Sequence, residues 1–495
     1  MNGVTTRDVA PGGLEHRCGE LIAAGGRMQM AYAWFPEVGA PAELRYLAAP
    51  GARQPFEIWR CRPQGGAVPS LAGISPLLGW YERETTDLAG VRFEGHPEPE
   101  PLVLHEGVDA AVPPLDPRRP RQTPLSFERA AWRLPEIESR DVQLLPFGPI
   151  RADVFESAQF LFFYVGEAIL HYHPRLFFKH RGIEKRFEGL KPELGAVLAE
   201  RVSGVGSVTH ALAYCQALEA AAGCAVPQRA LWLRVLLAEL ERLYNHLHYL
   251  GHLCHTTTLK VGEAEGKLLE ERVKQLNSRL TGSRFLRGIL TPGGLRRDLD
   301  PGGLAVALED LRLEFAAYVE RLDRTNSHVD RLITTGVLPR QVAFDQGATG
   351  PVERASGLDR DLRRDHPYAA YADLPLSVPV REEGDAYARV AVRVAETEAS
   401  FALIQRVLHD LPSGDVRSPF EAPAGGEGLG WSESPRGSVY YAVHLDSAGR
   451  FARVKIKSPS FSNWRVFPHT VHDTNMMDYA INEASFGLTI AGCDR

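Results

Sequence analysis

Residues 226–251 read VPQRALWLRVLLAELERLYNHLHYLG and form the clearest helical pattern in this chain of 495 residues. The pattern predicts a helix that begins at Pro227, where a missing N–H costs nothing, and ends at Gly251. Spacings of three and four place one set of leucines on a single helical face, which indicates an amphipathic helix. These are Leu236, Leu240, Leu243, Leu247 and Leu250. Polar residues occupy the other faces: Glu239, Glu241, Arg242 and Asn245.

Further patterns extend from this helix in both directions. Helical spacing covers Gly266 to Leu280 and Leu304 to Leu332, so the long C-terminal part is predicted to be mainly helical. Near the end, SVYYAVHLD at 438–446 and FARVKIK at 451–457 alternate around the Ser447-Ala448-Gly449 turn. This alternation predicts a β-hairpin at the periphery of the helical part.

The N-terminal part has a different pattern, with short strand-like runs at 27–38 and 57–63 between Gly/Pro breaks. The following segment is too rich in proline for a helix or an inner strand. We therefore predict an α+β protein: a small mixed α/β domain at 1–106, a Pro-rich linker at 107–140, and a mainly helical domain at 141–495.

Composition and local patterns argue against nucleic acid as a partner, against a transmembrane segment and against a signal peptide. The chain has 56 basic and 62 acidic residues, a net charge of −6, so no positive field favours nucleic acid. The most apolar run, Phe160 to Leu170, is too short to span a bilayer and contains Glu167. The N-terminus has no signal-peptide pattern, which predicts a cytoplasmic protein that meets the membrane only through partners.

Several motifs resemble one family of redox subunits. GWYERETTDLAGVRFEGHPEPEPLVLHE at 79–106 resembles the signature of the complex I subunit that docks beside the quinone-proximal large subunit. FKHRGIEKRFEG at 178–189 resembles the HRGIEK motif of that large subunit and of energy-converting hydrogenases. LTPGGLRRDL at 290–299 and GPVERASGLDRDLRRDHPYAAY at 350–371 resemble the formate hydrogenlyase type of [NiFe]-hydrogenase, in which the two parts are fused in this order.

The resemblance implies a hydrogenase-like or NADH-quinone-oxidoreductase-like large subunit of a membrane-associated redox complex. Its expected partners are an iron–sulfur small subunit, which would carry the cluster, and membrane-arm subunits that translocate an ion. Its expected location is the inner face of the cell membrane. No nucleotide-binding glycine motif occurs in the sequence, so NAD would belong to another subunit.

The family holds nickel and iron with two CxxC pairs, and soft thiolates are the ligands that this site requires. The resemblance aligns the ligands with Ser203, Gly206, Thr489 and Gly492, which we call the four aligned positions. None of them is a cysteine. We therefore expect no [NiFe] centre and no cofactor on this chain, although a quinone remains a candidate ligand. Cys493 lies one residue from a ligand position and is expected to point away from it.

The pocket that held the metal in the family offers five candidate residues. The resemblance implies that Glu184 is a proton relay, and the alternative is an ion pair with Lys185 or Arg181. His180 and His210 would shuttle protons or bond a quinone carbonyl, and the alternative is an ordinary buried histidine. The full candidate set is Glu184, His180, Arg181, His210 and Asp494.

Two further groups have weaker support. Complex I places a histidine in a Gly-Pro-x-His-Pro loop at its quinone site, and LPFGPIRADV at 145–154 has Arg151 there instead. Arg151 is a candidate for binding an anionic group, and the alternative is a surface arginine. Four histidines at the end of the long helix suggest metal binding, but without a glutamate between the i,i+4 pair we favour a structural role. They are His246, His248, His252 and His255.

Two functions therefore remain open. In the first, the pocket still serves quinone or another electron acceptor. In the second, the chain is a non-catalytic scaffold that couples the iron–sulfur subunit to the membrane arm.

Overall fold

The computed structural model describes residues 3–63, 65–109, 112–120, 122–128, 134–151 and 156–495. The N-terminal part contains β1 Val4–Asp8, α1 Leu14–Ala23, β2 Arg27–Trp34, β3 Glu43–Ala49, β4 Phe56–Cys61, β5 Ala67–Pro69, α2 Gly79–Ala89 and β6 Arg92–Glu94. Then come β7 Val108–Asp109, β8 Ser126–Phe127, β9 Gln143–Phe147, β10 Gln159–Val165, β11 Ala168–Arg175, α3 Ile183–Phe187, α4 Pro192–Ala199, α5 Ser207–Ala222, α6 Gln228–Thr256 and α7 Lys260–Thr281.

The remaining elements are β12 Leu290–Thr291, β13 Gly294–Leu295, α8 Leu304–Asp323, α9 Asn326–Leu332, α10 Arg340–Asp345, α11 Pro351–Arg354, α12 Leu362–Asp365, α13 Ala386–Asp410, β14 Glu427–Ser434, β15 Gly437–Leu445, β16 Phe451–Lys457, α14 Pro459–Val466, β17 Thr474–Asn475, α15 Tyr479–Phe486 and α16 Ile490–Asp494. Short 3₁₀ turns cover Pro11–Gly13, Pro76–Leu78, Tyr371–Asp373, Phe467–Thr470 and Met476–Asp478. The predicted α+β class is confirmed.

The N-terminal part is built on one four-stranded sheet of order β1-β4-β3-β2. β1 and β4 are parallel and the other pairs are antiparallel. Nearly every residue of β2 is buried, including Arg27 and Gln29. Arg27 pairs with Glu353 in the C-terminal part at 3.2 Å, so the inner edge of this sheet is closed by residues far along the chain.

The segment predicted as a Pro-rich linker is described only in pieces. Residues 110–111, 121 and 129–133 lie outside the described part of the chain. Leu115 is buried, and its backbone N–H donates to the Leu88 carbonyl of α2 at 2.8 Å. The domain boundaries drawn from composition remain predictions.

The helix α6 lies at the centre of the C-terminal part, and its predicted amphipathic character is wrong. Glu239, Glu241 and Arg242 on the supposed polar face are each 0% exposed. The predicted end at Gly251 is also wrong, because α6 continues to Thr256. At Gly251 the helix lies against Gly266 of α7, where an added Cβ would be 2.7 Å from the Gly251 Cα. This glycine permits close helix packing and does not end the helix.

The other predicted elements are present with adjusted bounds. The second helical pattern corresponds to α7, and the third is divided into α8 and α9 by a break at Arg324 and Thr325. The C-terminal hairpin is confirmed as β15 and β16, and β14 extends it to three antiparallel strands. Gly430 of β14 lets this sheet lie directly on α5, since a Cβ there would be 2.0 Å from the Ala213 carbonyl oxygen.

A second antiparallel sheet, of order β17-β11-β10-β9, exposes several large apolar side chains on its strands or at their ends. Ile150, just after β9, is 91% exposed and Met477, just after β17, is 69% exposed. Leu145, Phe147, Val165 and Leu170 are also exposed. Large apolar side chains that remain exposed are candidates for contact with another macromolecule.

Candidate functional site

The four aligned positions come together although they derive from segments almost 300 residues apart. They line one small cavity, together with His210, Arg436 and the serines at 434, 458 and 460. Its volume is about 10 Å³, roughly the room that one water molecule needs. The structure therefore brings the two aligned segments together at one place.

One half of the cavity is held at the start of α5. Gly206 is the residue that precedes this helix, and its N–H donates to the Ser203 carbonyl at 3.1 Å. Glu241 of α6 accepts from the backbone N–H groups of Val208 at 2.6 Å and Thr209 at 3.1 Å. A buried carboxylate from the central helix therefore caps the first turn of α5 and fixes the position of this loop.

The other half is held at the start of α16. Thr489 caps this helix, since its Oγ1 accepts from the Gly492 N–H at 3.2 Å and lies 3.1 Å from the Ser460 hydroxyl. Glu156 accepts from the next two backbone N–H groups, those of Ile490 at 2.6 Å and Ala491 at 3.0 Å. Thr489 therefore has a structural role at a position where the family has a metal ligand.

The donors around this cavity do not fit a nickel–iron centre. They are hydroxyls, backbone groups, one imidazole and one guanidinium, with no thiolate among the lining residues. Burial, assisted by Arg181 and Arg495, lowers the pKa of His210 to about 3, so its imidazole is neutral and bonds the Tyr441 hydroxyl at 3.0 Å. Cys493 is buried and is not one of the lining residues, in agreement with its predicted orientation.

Glu184 lies in a buried ionic cluster that we call the tail network. Its carboxylate is 2.8 Å from the Arg453 guanidinium and 3.4 Å from both the Lys455 ammonium and the Arg495 guanidinium. Glu84 of α2 completes the cluster, at 2.6 Å from Lys455 and 2.7 Å from Arg495. The tail network therefore joins the N-terminal part, the helix α3, the strand β16 and the C-terminal residue.

The surroundings of Glu184 favour an ion pair over a proton relay. Burial by itself would raise its pKa, but Lys455, Arg453 and Arg495 together lower the pKa far below its ordinary value. The expected partners were wrong, because Lys185 pairs with Glu188 at 2.6 Å and Arg181 bonds carbonyl groups. The relay role itself remains a prediction.

Arg181, His180 and Asp494 connect the loop before α3 to the C-terminal tail. The Arg181 guanidinium donates to the Val202 and Ala491 carbonyls at 2.7 Å each, next to the two halves of the small cavity. His180 Nδ1 lies 2.7 Å from the Asp494 carbonyl, and the Asp494 carboxylate accepts from the Lys179 N–H at 2.8 Å. Burial lowers the pKa of His180 and raises that of Asp494 to about 7.

Arg151 does not lie at the surface, so the alternative of a surface arginine is wrong. Its side chain is 2% exposed and pairs with Glu483 of α15 at 3.3 Å. Its guanidinium also stacks 4.6 Å from the centre of the Phe160 ring. The residue at the position of the quinone-loop histidine is therefore already engaged by a carboxylate, and residues 152–155 of the same loop lie outside the described part.

Three of the four histidines of α6 have glutamate partners. His246 lies 2.9 Å from Glu396, His248 is 3.1 Å from Glu270 and His255 is 3.0 Å from Glu263. The rings of His248, His252 and His255 are stacked along the helix, with centroids 6.1 and 6.2 Å apart. Within the described residues, no group of three or more His, Cys, Asp or Glu is arranged to hold a metal ion.

Sequence reasoning missed a second buried ionic cluster around α6 and α13. Arg242 and Arg354 contact Glu396 at 3.0 and 2.5 Å, and Arg363 contacts Glu239 at 3.1 Å. All five side chains are at most 1% exposed. The available signal was the Glu239–Arg242 pair at i,i+3 spacing in the middle of a helix rich in leucine, since opposite charges that pair can be buried together.

Comparison with known protein families places consecutive parts of the chain in one class of redox large subunit. Residues 57–122 match the model of the respiratory-chain NADH dehydrogenase 30 kDa subunit, and residues 181–267 match that of nickel-dependent hydrogenases. Residues 268–424 and 416–495 match the model of the respiratory-chain NADH dehydrogenase 49 kDa subunit.

Individual relatives then define the family. Formate hydrogenlyase subunit 5 of Escherichia coli K12 is 30% identical over 83% of this chain and 74% of its own length. Hydrogenase-4 component G of the same strain is 31% identical over 83% and 72%. The NADH-quinone oxidoreductase C/D protein of Rhodopseudomonas palustris BisB5 is 28% identical over 86% and 82%. The chain belongs to this family of hydrogenase-like and complex I-like large subunits.

A solved structure supports the same fold. A chain of the membrane-bound sulfane sulfur reductase, an archaeal respiratory membrane complex, superposes with a TM-score of 0.68 at 27% identity. The match covers 73% of this chain and all of that one. Among the described residues, no helix is both long and apolar enough to cross a bilayer.

Proposed function

We propose that this chain is a non-catalytic large subunit of a membrane-associated redox complex, without a [NiFe] centre. It couples an iron–sulfur partner subunit to a membrane arm at the inner face of the cell membrane. The observation that carries this proposal is the small cavity at the four aligned positions. It has room for about one water molecule and has no thiolate, whereas both carboxylates of the tail network are held in ion pairs.

Docking on a membrane arm draws support from the exposed apolar residues of the second sheet. Ile150, at 91% exposure, is the most exposed of them and lies within the segment that resembles the quinone loop. An apolar side chain in that position gains free energy when a partner covers it. Substitution by a charged residue there should weaken docking without disturbing the core.

The docking test is the Ile150→Asp variant, expressed in cells that contain the partner subunits. We expect the fraction of chain that sediments with membranes to fall severalfold. The matched control is Val306→Asp on α8, where an apolar residue is also 70% exposed. Equal retention of both variants on the membrane would contradict docking through this sheet.

A second candidate function is that the pocket accepts a quinone. The observation in its favour is an apolar cavity of about 40 Å³ beside His180 and Glu184, closed on the other side by Leu88 and Leu115. This volume is well below the roughly 150 Å³ of a cavity that accepts benzene, so a quinone ring would require the cavity to open.

The His180→Gln variant separates the two functions. A glutamine amide keeps a hydrogen-bond donor near the Asp494 carbonyl but cannot titrate near neutral pH. In the assembled complex reduced with dithionite, the scaffold predicts an unchanged rate of decylubiquinone reduction per iron–sulfur cluster. The matched control is His328→Gln, which removes a buried imidazole bonded to Thr257 at 2.7 Å. A loss of at least tenfold confined to His180→Gln would favour the quinone pocket.

A further inference from the structure

A further cavity lies away from the four aligned positions, between the N-terminal sheet and the segment that contains α11 and α12. Its volume is about 160 Å³, similar to a cavity that holds a benzene molecule. Arg27 and Gly25 line it from the N-terminal side, and Arg360 and Asp361 line it from the other. We call it the Arg27–Arg360 cavity.

The acidic residues of this cavity are already neutralised by arginines. Asp359 and Asp365 contact Arg364 at 2.6 and 2.8 Å. Asp361 contacts Arg363 at 2.8 Å. These carboxylates are therefore not available as cation ligands.

The two glutamates of the cavity are paired as well. Glu353 contacts Arg27 at 3.2 Å, and Glu433 contacts Arg354 at 3.2 Å. Burial, together with the nearby Asp361, raises the pKa of Glu433. Arg354 and Arg363 have further carboxylate partners behind the cavity, in Glu396 at 2.5 Å and Glu239 at 3.1 Å, so both of these arginines are paired.

Arg360 differs from these arginines in its partners. Within the described residues no carboxylate lies within 4 Å of its guanidinium, which donates a hydrogen bond to the Gly25 carbonyl at 3.3 Å. The face of the Arg360 guanidinium stacks 5.1 Å from the centre of the Phe344 ring. Stacking of this kind leaves the N–H donors at the edge of the guanidinium free to bind a ligand. Burial and the neighbouring Arg27 lower the pKa of Arg360 to about 10, but it remains charged at neutral pH.

Arg27 adds a second set of donors. One terminal nitrogen donates to Glu353 and to the Ala348 carbonyl at 3.1 Å, whereas its buried Nε has no hydrogen-bond partner in the described part of the chain. The Arg27 side chain is 5% exposed, so its charge is buried and is not solvated at the protein surface.

We propose that the Arg27–Arg360 cavity binds a small oxyanion, a carboxylate or a phosphate group, through the guanidinium groups of Arg360 and Arg27. Guanidinium forks bind both classes through charge-assisted hydrogen bonds. The bound anion would pair with Arg360 and contact both the N-terminal sheet and the segment around α12. Its binding therefore stabilises the contact between these two parts of the chain.

The test is thermal unfolding of the full-length chain in rising millimolar concentrations of sodium phosphate or sodium acetate, with sodium chloride holding the ionic strength constant. We expect a saturable rise in Tm. A rise with phosphate alone identifies a phosphate site, and a rise with acetate alone identifies a carboxylate site. No saturable rise with either anion would overturn the proposal.

Arg360→Gln should raise the half-saturating concentration at least tenfold, whereas Arg324→Gln, a surface substitution on the helix end of α8, should leave it unchanged. Ala52→Glu, which places a carboxylate at the exposed mouth of the cavity, should weaken binding to a similar degree without removing any existing contact. It keeps the proposal testable if Arg360→Gln does not fold. An unchanged half-saturating concentration in Ala52→Glu, or in a folded Arg360→Gln, would also contradict the site.

Discussion

The two sides of the C-terminal helix α16 differ in what they retain. One side, with Thr489 and Gly492, faces a cavity of about 10 Å³ lined mainly by serines, prolines and glycines, with one guanidinium and one imidazole. On the other, Arg495 enters the tail network with Glu84 and Glu184 at 2.7 and 3.4 Å. The family's metal-binding chemistry has no counterpart on the first side, whereas the second is densely charged. The contrast indicates that the buried charges around α16 stabilise the contact between the C-terminal tail and the N-terminal part of the chain.

The largest loss of stability is expected for the Glu184→Gln substitution in the tail network. The change leaves Arg453, Lys455 and Arg495 buried with Glu84 as the remaining carboxylate, and breaking a buried ion pair in this way costs about 3–5 kcal/mol. We expect that loss in the free energy of unfolding, measured with a chemical denaturant. The matched control is Glu320→Gln, which removes an exposed partner of Arg324 and should cost at most about 0.5 kcal/mol.

The same residue gives the chain a pH dependence. The folded-state pKa of Glu184 is lowered, so its contribution to stability is fully present above the unfolded-state pKa of about 4.3 and is lost as the pH falls below it. The difference in unfolding free energy between the wild type and Glu184→Gln should therefore shrink on acidification. A difference that grew below that pH would refute the ionised state assigned to Glu184.

A smaller effect is expected for Glu84→Gln on the N-terminal side of the tail network. Lys455 and Arg495 keep Glu184 as a partner, so we expect a loss of about 2–3 kcal/mol. The loss should appear as faster hydrogen exchange in α2 and β16, where the two parts meet. Uniform exchange rates across both elements would show that Glu84 does not join them.

On the cavity side, Thr489→Val should cost about 1 kcal/mol, because it removes the oxygen that caps α16 while keeping the shape of the side chain. Thr489→Ser retains the cap and should be close to neutral. Thermal unfolding of both variants checks this. If they lost the same stability, the cap would not be the function of Thr489.

The smallest effect is expected for Gly206→Ala. An added Cβ would lie 3.3 Å from the His210 ring and would occupy part of the small cavity. Assembly of the complex should be unchanged, as in the control Gly204→Ala, where no atom lies within 4 Å of the added carbon. The stoichiometry of subunits after affinity purification measures this, and a selective loss in Gly206→Ala would show that the cavity needs its space.

Much of the fold could be predicted from the sequence, because local patterns and motifs carry it. Periodicity located α6 and α7, alternation located the β15–β16 hairpin, and the motif resemblance brought Ser203 and Thr489 to one cavity. Boundaries were less accurate. Gly251 resembles a helix end in sequence, and only the position of α7 reveals that it is a packing contact.

The charged interior could not be predicted in the same way. The partners of Glu184 in β16 lie about 270 residues away, and Glu483 lies 332 residues from Arg151, so no local pattern reveals either pair. Glu239 and Arg242 were assigned to a solvated face because charged residues are usually exposed. Their burial follows from Arg363 and Glu396, which other segments supply.

The central claim is that this large subunit works without nickel, and metal analysis of the purified native complex tests it most directly. Inductively coupled plasma mass spectrometry should find iron from the iron–sulfur partner and only trace nickel per copy of this chain. Nickel in stoichiometric amount, lost on denaturation of this subunit, would contradict the account, since the serine, threonine and two glycines at the four aligned positions supply no thiolate for it.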